Sequence, residues 1–166
     1  LSLGIGASVM ATADLLETLT ISAAGNDSSD ITITQLGNTA AAAALTSASI
    51  IAKDGADITA ATLDAAGATL TTWTMDAQTT GSVITVTDVS ASSIDTVVMK
   101  AVTGATVDVS TDFDVTTIGS ITMSGGGTLR MDDVNNTITT LESIDASGTS
   151  GTVVINMGIT ASATNT

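Results

Sequence analysis

Apolar residues recur at the first, fourth and sixth positions of six short segments spread along the chain. These leading segments begin at Leu16, Leu45, Leu70, Ile94, Ile118 and Leu141. The later starts follow one another almost evenly, and only the first interval is clearly longer. A repeat of roughly 20 to 50 residues is typical of solenoid proteins. The pattern therefore predicts a stack of coils of about 24 residues each.

Each leading segment is followed by a polar turn that contains Gly and then by a second apolar run. The turns are predicted at residues 25–27, 54–55, 80–81, 103–104, 125–127 and 147–149. The second runs begin at Ile31, Ile58, Val83, Val107, Leu129 and Val153. Most of them alternate apolar and polar residues with period two, as half-buried strands do. Each coil is thus predicted to supply two strands and two bends.

This strand spacing also fits an antiparallel sandwich, but a sandwich does not require like positions to recur from repeat to repeat as stacked coils do. We therefore predict an all-β fold, a right-handed parallel β-helix, with the hand that parallel connections usually take. No linker divides the chain, so residues 1–166 are predicted to form a single solenoid segment. Residues 1–8 align with residues 155–162, which indicates an excerpt of a longer chain.

The composition fits a narrow interior filled by small and branched side chains. The chain has one Trp, one Phe and no Tyr, although 43% of its residues are apolar. Disorder is the competing interpretation, because the chain is rich in small polar residues and carries a formal charge of −14. Disordered chains combine high charge with low hydrophobicity, whereas the mean hydropathy here is +0.48. The absence of Pro suits uninterrupted strand ladders.

The inventory of reactive side chains argues against enzymatic activity. The chain contains no Cys and no His, and its cations are Lys53, Lys100 and Arg130. Catalytic arrangements that pair Ser or Cys with His therefore cannot be assembled. Nucleic acid is an unsuitable partner for so anionic a chain, because phosphate binding rests on Lys and Arg. No apolar run approaches the roughly 18 residues of a membrane span.

Acidic residues form the candidate binding site. Asp64, Asp88, Asp112 and Asn136 follow one another at a constant interval equal to the repeat length, so a regular solenoid would place them in one column. Further oxygen donors near the same bend are Asp114, Asp132 and Asp133. Oxygen ligands without His or Cys suit Ca²⁺, which is the predicted cofactor. A solvated acidic edge that keeps the molecule soluble is the alternative.

Outward strand positions are rich in Thr and Ser, for example Thr72, Thr74 and Thr122. Such residues first of all make a soluble strand surface. A flat Thr array can also bind ice or sugar, but Lys100, Arg130 and Asp108 are expected to interrupt the rows.

The repeat resembles those of a known group of secreted proteins. Residues 141–155 carry the pattern Leu-x-x-Ile-Asp-Ala-Ser-Gly-x-x-Gly-x-Val-x-Ile. This pattern resembles bacterial surface-layer proteins and RTX-type adhesins, which leave the cell by type I secretion. The resemblance implies a secreted β-solenoid that folds outside the cell as Ca²⁺ becomes available and whose copies join into a lattice. The Gly-Gly-x-Gly-x-Asp nonapeptide of that family is missing from the chain.

The expected function is structural: an extracellular, cell-surface tile of a bacterial surface layer that assembles with other copies of itself into a lattice or filament. Cell-surface polysaccharide is a further candidate partner. The alternative is a stalk or passenger segment of a secreted RTX-type adhesin. An enzyme that cleaves polysaccharides is a third class, which the scarcity of aromatic and basic residues disfavours.

Overall fold

The computed structural model describes residues 17–25, 31–33, 45–133 and 138–157, apart from the side chains of residues 64–68, 110, 111 and 133. In this part of the chain, nine strands pair in parallel within one sheet. The strands are β1 (Thr18–Ala24), β2 (Ile31–Ile33), β3 (Ser47–Lys53), β4 (Asp57–Ala77), β5 (Val83–Ala101), β6 (Thr106–Gly125), β7 (Thr128–Asp133), β8 (Thr140–Thr149) and β9 (Thr152–Met157). The predicted all-β, parallel solenoid is confirmed. Its right-handed coiling stays a prediction, and the likeness between residues 1–8 and 155–162 falls largely outside the described residues.

The first wall of the solenoid contains the leading segments of all six coils. It consists of β1, β3, the second halves of β4, β5 and β6, and β8. One column of register partners in this wall is Thr18, Ser47, Thr72, Thr96, Ser120 and Ser143. Each of them lies two positions after the start of its leading segment, so the pairing reproduces the spacing of those segments at every step.

The apolar residues at the fourth positions of the leading segments share one interior file. Its members, in order along the stack, are Leu19, Ala48, Trp73, Val97, Ile121 and Ile144. Trp73, Val97 and Ile121 are completely buried. Branched and apolar side chains line this file because alternate residues of a strand point to the same face. The stacking of residues that lie one repeat apart is therefore confirmed.

The second wall contains the second apolar runs. It consists of β2, the first halves of β4, β5 and β6, and β7 and β9. Its interior file is Ile31, Ile58, Ile84, Val107, Leu129 and Val153. One hydrophobic cluster fills the space between the two walls. Each coil thus adds a few inward side chains to a core that runs through the whole stack.

The two aromatic residues of the chain meet inside this core. The ring centroids of Trp73 and Phe113 are 5.5 Å apart, with the planes tilted by 44°. The register partner of Trp73 in the preceding coil is the small residue Ala48, which leaves room for the indole. The Nε1 atom of Trp73 is buried and has no hydrogen-bond partner. Packing rather than hydrogen bonding therefore holds the indole in place.

Short turns lead from the first wall to the second. In successive coils the turns that follow β3, β4, β5, β6 and β8 have three, five, four, two and two residues. Gly is needed in several of them, because Gly55, Gly81 and Gly104 have φ values near +80°. Gly125, the last residue of β6, has a φ of 107°, and a Cβ there would clash with the carbonyl oxygen of Ala101.

Two local predictions about bends are wrong. The second bend of each central coil does not end a strand, since β4, β5 and β6 continue from the second wall into the next leading segment. The last turn lies at residues 150–151 rather than 147–149, because β8 extends to Thr149. One extra residue in β8 contributes to this difference, since the register shifts between Thr122 and Ser124 and brings Gly148 opposite Ser124.

Candidate functional site: carboxylates on the outside of the second wall

Two of the predicted Ca²⁺ ligands are register neighbours on the outside of the second wall. Asp88 of β5 lies opposite Asp112 of β6, and both are half-buried. Asp114 is exposed and follows two residues later on the same side of β6. Neighbouring strands lie about 4.8 Å apart, and like charges directly opposite one another repel. This part of the predicted column is therefore present, and a cation would relieve its repulsion.

Asp64 does not continue that column. Its register partner is Ser90, and the partner of Asp88 in β4 is Thr62. The prediction assumed that the repeat length is constant, whereas the offset between β4 and β5 in the second wall is larger by two positions. The five-residue turn before β5 contributes to this larger offset, which an irregularity between Ala65 and Thr69 then removes.

The remaining predicted ligands lie further along the stack. Asp132 of β7 is only 3% exposed and forms an ion pair with Arg130. The backbone of Asp133 pairs with Met157, but its side chain and the whole of Asn136 lie outside the described residues. Among the residues that the structure describes, no three acidic side chains are grouped closely enough to hold a metal ion. Ca²⁺ binding stays a prediction.

Sequence reasoning missed a charged cluster on the same wall. Asp108 of β6 lies in register with Arg130 of β7, and the distance from Arg130 Nη1 to Asp108 Oδ2 is 3.9 Å. The other guanidinium nitrogen contacts Asp132. One half-exposed cation therefore bridges a carboxylate of the neighbouring coil and a buried carboxylate of its own strand.

Burial has the largest effect on Asp108. Desolvation raises the pKa of this carboxyl above its ordinary value, Arg130 acts in the opposite direction, and Asp132 adds to the increase. The Oδ1 atom of Asp108 is buried without a hydrogen-bond partner. The interval between Asp108 and Arg130 in the sequence is shorter than one repeat. Looking for partners one full repeat apart therefore does not find this pair. The two-residue turn before β7, which is the shortest type in the stack, contributes to this smaller offset.

The charged side chains of the second wall can bind partners through electrostatic attraction. Carboxylates at half-buried outward positions can attract cations or basic groups, and a single guanidinium partly neutralises them. Within the described ranges, no helix is long and apolar enough to span a membrane. Comparison with protein-family models, with curated proteins and with solved structures finds no match to this chain.

Proposed function

We propose that this chain is a structural element of an extracellular bacterial surface layer, in which it serves as a rigid tile. The observation that supports this proposal is the continuous core. Six strands of the first wall stack in register, and the interior file from Leu19 to Ile144 passes through all of them. A stack in which each coil contacts mainly its neighbours suits a mechanical role, because load passes along the ladder of strands.

Self-assembly is the proposed mechanism, with other copies of the chain as partners. A formal charge of −14 opposes contact between copies, and salt or bound cations would reduce that repulsion. Cell-surface polysaccharide is a further proposed partner. A pull-down experiment with purified wall polysaccharide tests this proposal. Loss of binding at high salt would indicate that charge governs this contact.

Ca²⁺ is the proposed stabilising cofactor, and the Asp88–Asp112 pair supports the proposal. Titration calorimetry on chelator-treated protein is expected to show heat of binding, and the melting temperature is expected to rise with Ca²⁺ because a ligand that binds the folded state stabilises it. The matched variants are Asp88→Asn, which removes half of the stacked pair, and Asp54→Asn, which removes an exposed carboxylate in a turn. If Ca²⁺ raised the melting temperature of both variants equally, Ca²⁺ would not be binding at this pair.

Electron microscopy of the purified protein tests the structural role. A tile is expected to form ordered two-dimensional arrays, in Ca²⁺ and not in chelator if the cofactor proposal is correct. Isolated fibres would favour the alternative, a stalk or passenger of a secreted RTX-type adhesin. Dispersed particles under all conditions would contradict both. Turnover of any member of a glycan panel would instead indicate a polysaccharide-cleaving enzyme.

A further inference from the structure

The outside of the first wall carries two adjacent columns in which most side chains have a hydroxyl group. Every member of the first column has a hydroxyl group: Thr18, Ser47, Thr72, Thr96, Ser120 and Ser143. The second column contains Thr20, Ser49, Thr74, Val98, Thr122 and Asp145. We call these twelve positions the hydroxyl face. Its side chains are half-buried in β3, β4, β5 and β6 and exposed in β1 and β8.

Charge separates this face from the second wall. Asp145, in the last described coil, is the one charged residue of the hydroxyl face. The residues expected to interrupt the Thr rows lie elsewhere, because Asp108 and Arg130 belong to the second wall. Lys100 lies in the adjoining column, opposite Asp76 of the preceding coil. Exposed acids lie directly before three members of the first column, at Glu17, Asp95 and Glu142. In a chain with a formal charge of −14, a second copy therefore meets little charge over the two columns themselves but meets carboxylates at their border.

Hydrogen bonds within the face lower the cost of covering it. The Oγ atom of Ser120 lies 3.3 Å from Oγ1 of Thr96, to which it donates, and 3.5 Å from the carbonyl oxygen of Asp95. A polar group that keeps a partner loses less on leaving water than one left unpaired. The methyl groups of Thr can then pack against a second flat surface, as residues of stacked sheets do at a separation of about 10 Å.

We propose that the hydroxyl face packs against the same face of a second copy of this chain. This inference rests on the proposed self-assembling function and names the surface through which it occurs. With strands about 4.8 Å apart and alternate residues about 6.6 Å apart, six strands and two columns would bury about 800 Å² in total, less than standard specific interfaces. Such a contact is weak for one pair and strengthens when many copies are linked. A contact between two identical faces is complete when two copies have joined. An array therefore needs a second contact through another surface.

Two matched variants of β4 test the face. Thr74→Glu places a carboxylate in the hydroxyl face, two residues before Asp76. Thr59→Glu makes the same change on the outside of the second wall, two residues after Asp57. Both variants change the net charge equally, so a general increase in repulsion affects them alike. Ser49→Glu, one coil away in the column of Thr74, is an independent probe of the face.

Sedimentation equilibrium at about 0.15 M salt, where charges are screened beyond about 8 Å, measures the association. The wild type is expected to dimerise, Thr74→Glu and Ser49→Glu to associate at least about tenfold more weakly, and Thr59→Glu to resemble the wild type. Far-UV circular dichroism verifies that each variant is folded. Equal association of Thr74→Glu and Thr59→Glu would overturn the assignment of the face but leave the scaffold function standing.

Two further outcomes would separate this proposal from the proposed function. Ordered arrays that Thr74→Glu still forms would mean that copies assemble through another surface. A wild-type protein that remains monomeric at all concentrations while binding ice or a glycan through this face would overturn self-association and assign the face to surface recognition instead.

Discussion

Ile121 and Ile144 occupy equivalent positions in neighbouring coils, yet their surroundings differ. They are register partners in the same interior file, and their leading segments share the same apolar spacing. Ile121 is completely buried, whereas Ile144 is 42% exposed. Ile121 lies between Val97 and Ile144, while the described residues place a strand on only one side of β8. Burial in a solenoid thus requires a coil on both sides, in addition to the right residue.

The two coils also differ in the charged residues of their leading segments. In β8, Glu142 and Asp145 are exposed, and the register partner of Asp145 in the preceding coil is the uncharged Thr122. The leading segment of the last described coil therefore carries charges where that of the preceding coil carries none. Four pairs of variants break or sharpen this contrast.

The largest expected difference is between Ile121→Ala and Ile144→Ala. Removing the buried side chain leaves a cavity between two coils and is expected to cost about 3 to 4 kcal/mol of unfolding free energy. The half-exposed side chain is expected to cost about 1 kcal/mol. Chemical denaturation, followed by circular dichroism and by the emission of Trp73, measures both values. Equal losses would show that the last described coil is as well packed as the central ones.

A second pair compares Gly125 with Gly148. Gly125→Ala is expected to cost about 2 to 3 kcal/mol, because its φ is 107° and its Cβ would lie 2.1 Å from the Ala101 carbonyl oxygen. Gly148→Ala is expected to cost under about 1 kcal/mol, since its Cβ would lie 3.2 Å from the Ser124 side chain. Thermal melting of the two variants decides, and a larger loss for Gly148→Ala would contradict the turn geometry.

The third pair tests whether charge supports the second wall beside the last described coil. Arg130→Met removes the ion-pair partner of Asp132, which is only 3% exposed. The expected loss is about 1 to 2 kcal/mol, lower than for a fully buried pair because the guanidinium is 44% exposed. Lys100→Met removes an exposed cation and is expected to change stability by less than about 0.5 kcal/mol. Similar values in urea titrations would mean that Arg130 acts only through the net charge.

The smallest effects concern two aspartates whose pKa values shift in opposite directions. Burial raises the pKa of Asp108, so its ionised form opposes folding at neutral pH, and this cost disappears as the pH falls through the raised pKa toward the ordinary value of 3.8. Asp108→Asn is therefore expected to be more stable than the wild type at neutral pH by under about 1 kcal/mol. Its advantage should shrink on acidification, as melting curves recorded across pH would show.

Asp145→Asn is the counterpart in the last described coil. Hydrogen bonds from Ser147 lower the pKa of Asp145, and the backbone N–H of Ser147 donates to its Oδ1 at 2.9 Å. The ionised carboxylate thus contributes stability above pH 3.8, and this contribution is lost as the pH falls through the lowered pKa. The variant is expected to be slightly less stable at neutral pH and equal to the wild type in strong acid. If the stability difference from the wild type changed with pH in the same direction for Asp108→Asn and Asp145→Asn, the two aspartates would not lie in opposite environments.

The sequence by itself determined the register of the first wall. Apolar residues such as Leu70, Ile94 and Ile118 recur with spacings that the structure reproduces, because stacked parallel strands place equivalent side chains in one file. The pairing of Asp88 with Asp112 followed from the same spacing. These features are local in origin, since a period in the chain becomes a column in the stack.

Only the tertiary structure decided the other register partners of the second wall and which residues are buried. The turns between the walls vary from two to five residues, and irregularities within the strands compensate for this variation. The register partner of Asp64 is consequently Ser90 rather than Asp88, and that of Asp108 is Arg130. No spacing in the chain reveals these partners, because turn length and strand irregularity depend on how the coils pack. The exposure of Ile144 has the same origin, since burial depends on neighbours in space.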